Sequence, residues 1–152
     1  MTIQFYYIVK GSDMGYKLKI KQWDDINVGD RYTFTKEITK EDITAWVNMM
    51  GDDNPVHVEE EYAKTTRFGK IIAPGIMIAG FISTVMTKAT FGNVYSGQTL
   101  KFLKPVYVGD TITAVGEVIE KLEEKHRVVI RTECFNQNGE LVITGEGQEY
   151  II

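Results

Sequence analysis

Between Gly75 and Phe91 the chain places Ile76, Met77, Ile78, Ala79, Phe81, Ile82, Val85, Met86 and Ala89 so densely that almost no polar face is left, and no Asp or Glu interrupts them. Apolar residues on nearly every side of a helical cylinder predict a buried helix, which needs something wrapped around it. Directly afterwards the hydrophobic period changes to two. Thr99–Val106 reads as extended, and Thr111–Lys121, Arg127–Phe135 and Leu141–Ile151 read as three long strands. Val108-Gly109-Asp110, the polar run Glu123–Lys125 and the strong hairpin signal Asn138-Gly139 supply the turns. Strands joined in sequence by short turns pair antiparallel. A curved sheet covers one side of the helix, and a second subunit could cover more. The expected class is therefore α+β.

The first half of the chain is mainly helical. Lys17–Lys21 alternates weakly and reads as a short strand, Asn27-Val28-Gly29-Asp30 as a turn, and Arg31–Glu37 as a strand. Thr39 then has the character of an N-cap, with Glu41 and Asp42 in the first turn, where the helix dipole favours acids. Ile43, Trp46, Val47 and Met50 follow on one helical face, and Gly51 ends the helix. Pro55 biases Asn54 away from the helical region, so the chain turns there, and Glu59–Thr66 predicts another short helix.

A length of 152 residues suits one domain spanning 1–152, with residues 1–15 as an N-terminal extension and Met14 as an alternative start. The formal net charge of -4 argues against a nucleic-acid binder. Cys134 is the only cysteine, which excludes an intrachain disulfide and fits a reducing cytoplasm; its place in an alternating strand reads as a small buried apolar residue. The N-terminus lacks the pattern of a signal peptide, and the apolar stretch from Ile76 to Met86 is too short to span a bilayer.

The chemistry-bearing residues gather in Gly51-Asp52-Asp53-Asn54-Pro55-Val56-His57, which holds one of only two histidines. A carboxylate and an imidazole held together can position a water and move two protons near neutral pH. Asp52 and His57 flank the Asn54-Pro55 turn, so both could reach one water. Asp53 competes with Asp52 for the acidic role, and spacing does not decide between them. An isolated Asp-x4-His pair is more often a helix end followed by a solvated histidine. Pro74-Gly75 opens the apolar helix, where a free Gly75 amide at the positive helix end could donate to an oxygen gaining charge. Ser83 lies eight residues on, on roughly the same face. His126, among Glu123, Glu124, Lys125 and Arg127, reads as solvated. No Cys/His cluster suits a metal, and neither a P-loop nor a G-x-S-x-G motif is present.

Taken together, residues 51–57, Ala63, Phe68-Gly69, Ile72-Ala73-Pro74-Gly75-Ile76-Met77 and the later runs Tyr95–Phe102 and Lys104–Asp110 resemble the hydratase motif of the MaoC-like dehydratase family. Within it the chain is most similar to (R)-specific enoyl-CoA hydratases, over about Ile26 to Tyr150. The resemblance implies a hot-dog fold, an antiparallel sheet wrapped around a long central helix, as a homodimer or higher homo-oligomer. It implies an acyl-CoA thioester substrate and no cofactor, nucleic acid or membrane partner. It puts the catalytic acid on Asp52 rather than Asp53, the catalytic histidine on His57 and the oxyanion-hole amide on Gly75. Ser83 falls on a supporting serine, and Asn54, Gly69 and Ile72 are assigned with it to substrate binding. Many relatives carry His where this chain has Pro74; the Gly75 amide is kept, and the imidazole contact is lost. Arg67, Lys70, Lys101 and Lys104 read as a solvated basic face, with coenzyme A phosphates as the alternative contact. Two other functions remain open: a hot-dog thioesterase, which often carries an acid on the central helix that Gly75–Phe91 lacks, and a non-catalytic acyl-CoA-binding subunit.

Overall fold

The computed structural model describes residues 20–152. The expected extension over residues 1–15, the alternative start at Met14 and most of the weak strand at Lys17–Lys21 lie outside them. A 3-10 turn at Trp23–Asp25 leads into β1, Arg31–Glu37, whose side chains alternate between half-buried and exposed. Next come α1 (Lys40–Met50), the single-turn α2 (Pro55–Val58), α3 (Glu60–Thr65) and α4 (Gly75–Ala89). β2 (Val94–Gln98), β3 (Lys101–Phe102), β4 (Thr111–Leu122), β5 (Arg127–Phe135) and β6 (Leu141–Tyr150) complete the chain.

The strands form one antiparallel sheet in the order β1-β4-β5-β6-β2, with β3 also on β6. Register shifts at Val118/Glu120, Tyr95/Gly97 and Cys134/Phe135 add twist and bend, and so help the sheet curl. α4 lies in the hollow. Its Ile78, Ile82, Val85, Met86 and Ala89 share a core with Ile112, Val118, Val128, Ile130 and Ile143. A Cβ on Gly147 would stand 2.5 Å from the Met86 methyl, so glycine there lets the helix approach the sheet closely. This is the hot-dog arrangement.

α1 begins as expected: the Thr39 hydroxyl accepts from the Asp42 amide at 3.1 Å, and the Asp42 carboxylate accepts from the Thr39 amide at 2.9 Å. Gly51 ends it at φ 71, donating to Val47 O. Only Ile43 of its expected face is fully buried; Trp46 and Val47 are half-buried, and Met50 in the last turn is exposed. Three further expectations need correction. α2 is a helical turn rather than a bare turn, because Asn54 caps it and Pro55 is already set for a first helical position. α4 stops at Ala89, where Thr90 leaves helical geometry, and Pro74 is its N-cap. The strand expected over Thr99–Val106 starts earlier, at Val94, and is broken after Gln98. It still follows β6, with Thr99 N donating to Glu146 O and Leu103 N to Val142 O, both at 2.9 Å. As expected, the sheet covers α4 on one side only: Gly75, Ile76, Gly80, Ser83, Thr87 and Lys88 face outward from the single chain.

Candidate active site

The left-handed Gly51 releases the chain from α1 into the loop that carries Asp52, half-buried, and Asp53, exposed. Asn54 then starts α2: its side chain accepts from the Val56 amide at 3.4 Å, and its carbonyl accepts from the His57 amide at 2.9 Å. His57 is therefore presented by one short, capped turn. Ile72 holds it from the other side. The Ile72 amide donates to Val56 O at 3.3 Å, and the Ile72 carbonyl lies 2.7 Å from His57 Nδ1. A carbonyl can only accept, so Nδ1 carries the hydrogen. In the neutral ring this leaves Nε2 as an acceptor. Ile72 is itself tied to the sheet side by a bridge to Tyr107 and by the Ala73 amide on Val106 O at 2.8 Å.

His57 faces a cavity of about 430 Å³ whose walls include Ile72, Gly75, Phe102, Arg67 and Lys104. Gly75 is the first residue of α4, so its amide has no carbonyl one turn back to bond to and points outward at the positive end of the helix. A Cβ at Gly75 would lie 2.8 Å from the Phe102 ring, so any other residue there would have to displace the ring that packs over this amide. His57 and the residue carrying the free amide, Gly75, thus border the same space. The pair can take a proton from water and stabilise negative charge on a carbonyl oxygen.

His57 also lines a second cavity, again of about 430 Å³, together with Ile43 and Val47 of α1, Ile71, Val108 and the side chains of several lysines. Of the residues singled out from the sequence, His57, Ile72 and Gly75 meet in the first cavity, and Gly69, at φ 70, lines the second. Asn54 works from behind as the cap of α2. Asp52 is on the wall of neither cavity in the single chain, and Ser83 is exposed on the uncovered face of α4.

Sequence reasoning missed Phe102, which looked like any strand aromatic; its packing over Gly75 is a long-range contact without a local signal. It also missed Glu149, a buried acid on β6. His126 is exposed as expected, yet its ring is not free: it stacks on Trp23 at 4.9 Å, with Nδ1 2.5 Å from Ile151 O. Cys134 is buried, as read, and burial pushes its thiol up to about 12.

Residues 25–137 match the model of the MaoC like domain. The (R)-specific enoyl-CoA hydratase of Rhodospirillum rubrum is 40% identical, over 85% of this chain and 90% of that protein. The 3-hydroxybutyryl-CoA dehydratase of Methylorubrum extorquens is 36% identical, over 86% of this chain and 83% of its own. Among solved structures, the unliganded (R)-hydratase of Pseudomonas aeruginosa superposes with a TM-score of 0.80 at 36% identity, covering 87% of this chain and 86% of that one.

Proposed function

The chain belongs to the MaoC-like domain family, and on that footing we propose that it is an (R)-specific hydratase, a hydro-lyase that adds water across a trans-2-enoyl-CoA to give the (3R)-hydroxyacyl-CoA. The observation that carries this reading is the meeting of the clamped His57 and the free Gly75 amide in one cavity. The thioester oxygen accepts from Gly75 N–H, which draws electrons from the double bond and makes C3 electrophilic. His57 Nε2 takes a proton from water as its oxygen bonds to C3. The enolate so formed is held by the Gly75 amide until C2 receives a proton. Asp52 is assigned to hold the water with His57 and to share in proton delivery, and Asn54 to shape the turn that presents the imidazole. Hydration moves no electrons to or from the substrate overall, so the reaction requires no redox cofactor.

A second copy of the chain completes the enzyme in this reading. The outward face of α4 and the free edge at β2, with Val94 48% and Tyr95 38% exposed, support a homodimer through this side. Among the described residues no helix is long and apolar enough to cross a membrane. We assign the enzyme to the cytoplasm, where a lone thiol such as Cys134 is ordinary.

The test is hydration of crotonyl-CoA, followed by loss of enoyl absorbance with chiral analysis of the product, for wild type, Asp52→Asn and His57→Ala. Wild type should give the (3R) product, and each variant should lose roughly 10²–10⁴-fold in kcat. Full activity in both variants, or no turnover by wild type of short and medium enoyl-CoAs, overturns the reading. Thiol release without hydration would make the protein a thioesterase, and tight binding without turnover a binding subunit.

A further inference from the structure

β3 is only two residues long, yet it brings Phe102 onto the first residue of α4. Phe102 pairs with Ile143 of β6, and residues directly opposite each other on neighbouring strands point to the same face of the sheet. Ile143 is 1% exposed and belongs to the core around α4. Phe102 points to that same face and is 53% exposed. The difference lies in what the two side chains meet. Phe102 meets Gly75, which has no side chain, and the cavity that Gly75 shares with His57. Ile76 and Leu103, both exposed, are also on the wall of that cavity. Open apolar side chains around one backbone donor are the composition of a ligand site rather than of a core.

The ring is placed beside that donor. In a helix each Cα–Cβ bond leans towards the N-terminus, and the free amides of the first turn point the same way. Phe102 Cδ1 and Cε1 stand 2.8 and 2.9 Å from where a Cβ on Gly75 would be. The ring therefore lies on the N-terminal side of Gly75, next to its N–H. Gly75 itself stays exposed, so the ring borders the donor without closing it off.

We infer that Phe102 is a positioning residue for hydration: the thioester lies against its ring while accepting from Gly75 N–H, and together they keep water off that hydrogen bond. The inference rests on the hydratase reading and adds a residue to its site. A donor counts for more where water neither competes for the oxygen nor screens its charge. That charge grows as the enolate forms, so the ring acts on kcat more than on KM.

The experiment measures crotonyl-CoA hydration by wild type, Phe102→Ala and Phe102→Leu. Phe102→Ala should lower kcat about tenfold, a part of what a whole oxyanion donor is worth, with a smaller change in KM. Phe102→Leu, which keeps an apolar wall, should restore most of the loss. Both should melt close to wild type, because the ring is half exposed. Acetoacetyl-CoA supplies the second reading, since its enolate absorbs in the near ultraviolet and carries charge like that of the reaction's enolate. Bound to excess protein at one fixed pH, its ratio of enolate to keto form should be about tenfold lower in Phe102→Ala than in wild type, with Phe102→Leu close to wild type. An unchanged kcat in Phe102→Ala overturns the inference and leaves the hydratase reading standing. So does a fall in kcat with the enolate ratio unaltered, or a Phe102→Ala chain that no longer folds, either of which would make Phe102 a structural residue. Failure of wild type to hydrate short and medium enoyl-CoAs would instead remove the hydratase reading itself.

Discussion

Glu149 is a carboxylic acid only 2% exposed, and its Oε2 has no hydrogen-bond partner among the described residues. Burial pushes it up to about 7 from an ordinary 4.5, with a hydrogen bond from Thr90 pulling the other way. Tyr95, its cross-strand neighbour, is pushed up to about 12 by its own burial and, to a smaller extent, by the Glu149 charge. Between 4.5 and about 7 the folded chain keeps a proton that the unfolded chain has lost, so this group's contribution to stability falls as pH rises through that window. Glu149→Gln should flatten the dependence and, at about pH 8, stabilise the fold by about 1–3 kcal/mol relative to wild type. Urea unfolding at about pH 5 and about pH 8 reads this directly; equal slopes in the two proteins would show that Glu149 is not the group that titrates. None of this was legible in the run Gln148-Glu149-Tyr150. An acid on a strand reads as solvent-facing, and only the register that sets it opposite Tyr95 and Val128 shows otherwise. Asp52 and His57 stood out as residue types at a spacing. The hydrogen on Nδ1 follows from Ile72, fifteen residues away.

Among the elements, α1 shows how local chemistry sets a boundary. Thr39 and Asp42 satisfy each other's backbone amides, so Thr39→Ala should cost about 1 kcal/mol and lower the melting temperature, as measured by circular dichroism. Thr39→Asn, which can still accept from the amide of Asp42, should recover most of that loss. The same locality explains why β1 begins and ends where its alternation does. It fails for α2, because one helical turn has no period to detect, and for Thr99–Val106. In that stretch a Cβ on Gly145 would sit 1.9 Å from Thr99 O, so the pairing is shaped by a close backbone approach from β6. Sequence alternation carries no trace of such a contact.

For the whole molecule, the uncovered side of α4 and the β2 edge are the main unfinished surfaces. Sedimentation equilibrium should give twice the chain mass, and Gly80→Arg, at a position with nothing within 4 Å of an added Cβ, should shift the protein towards the single chain without unfolding it. A protein that sediments as one chain at all concentrations would refute the dimer. The order of elements, the helix that must be wrapped and the motif around His57 were determined by the sequence alone, because each depends on neighbours a few residues apart. Which atoms of His57 are free, the glycine beneath Phe102, the buried Glu149 and the exposed stripe of α4 were decided only by tertiary structure. Each of these comes from segments that the curl of the sheet brings together from far along the chain.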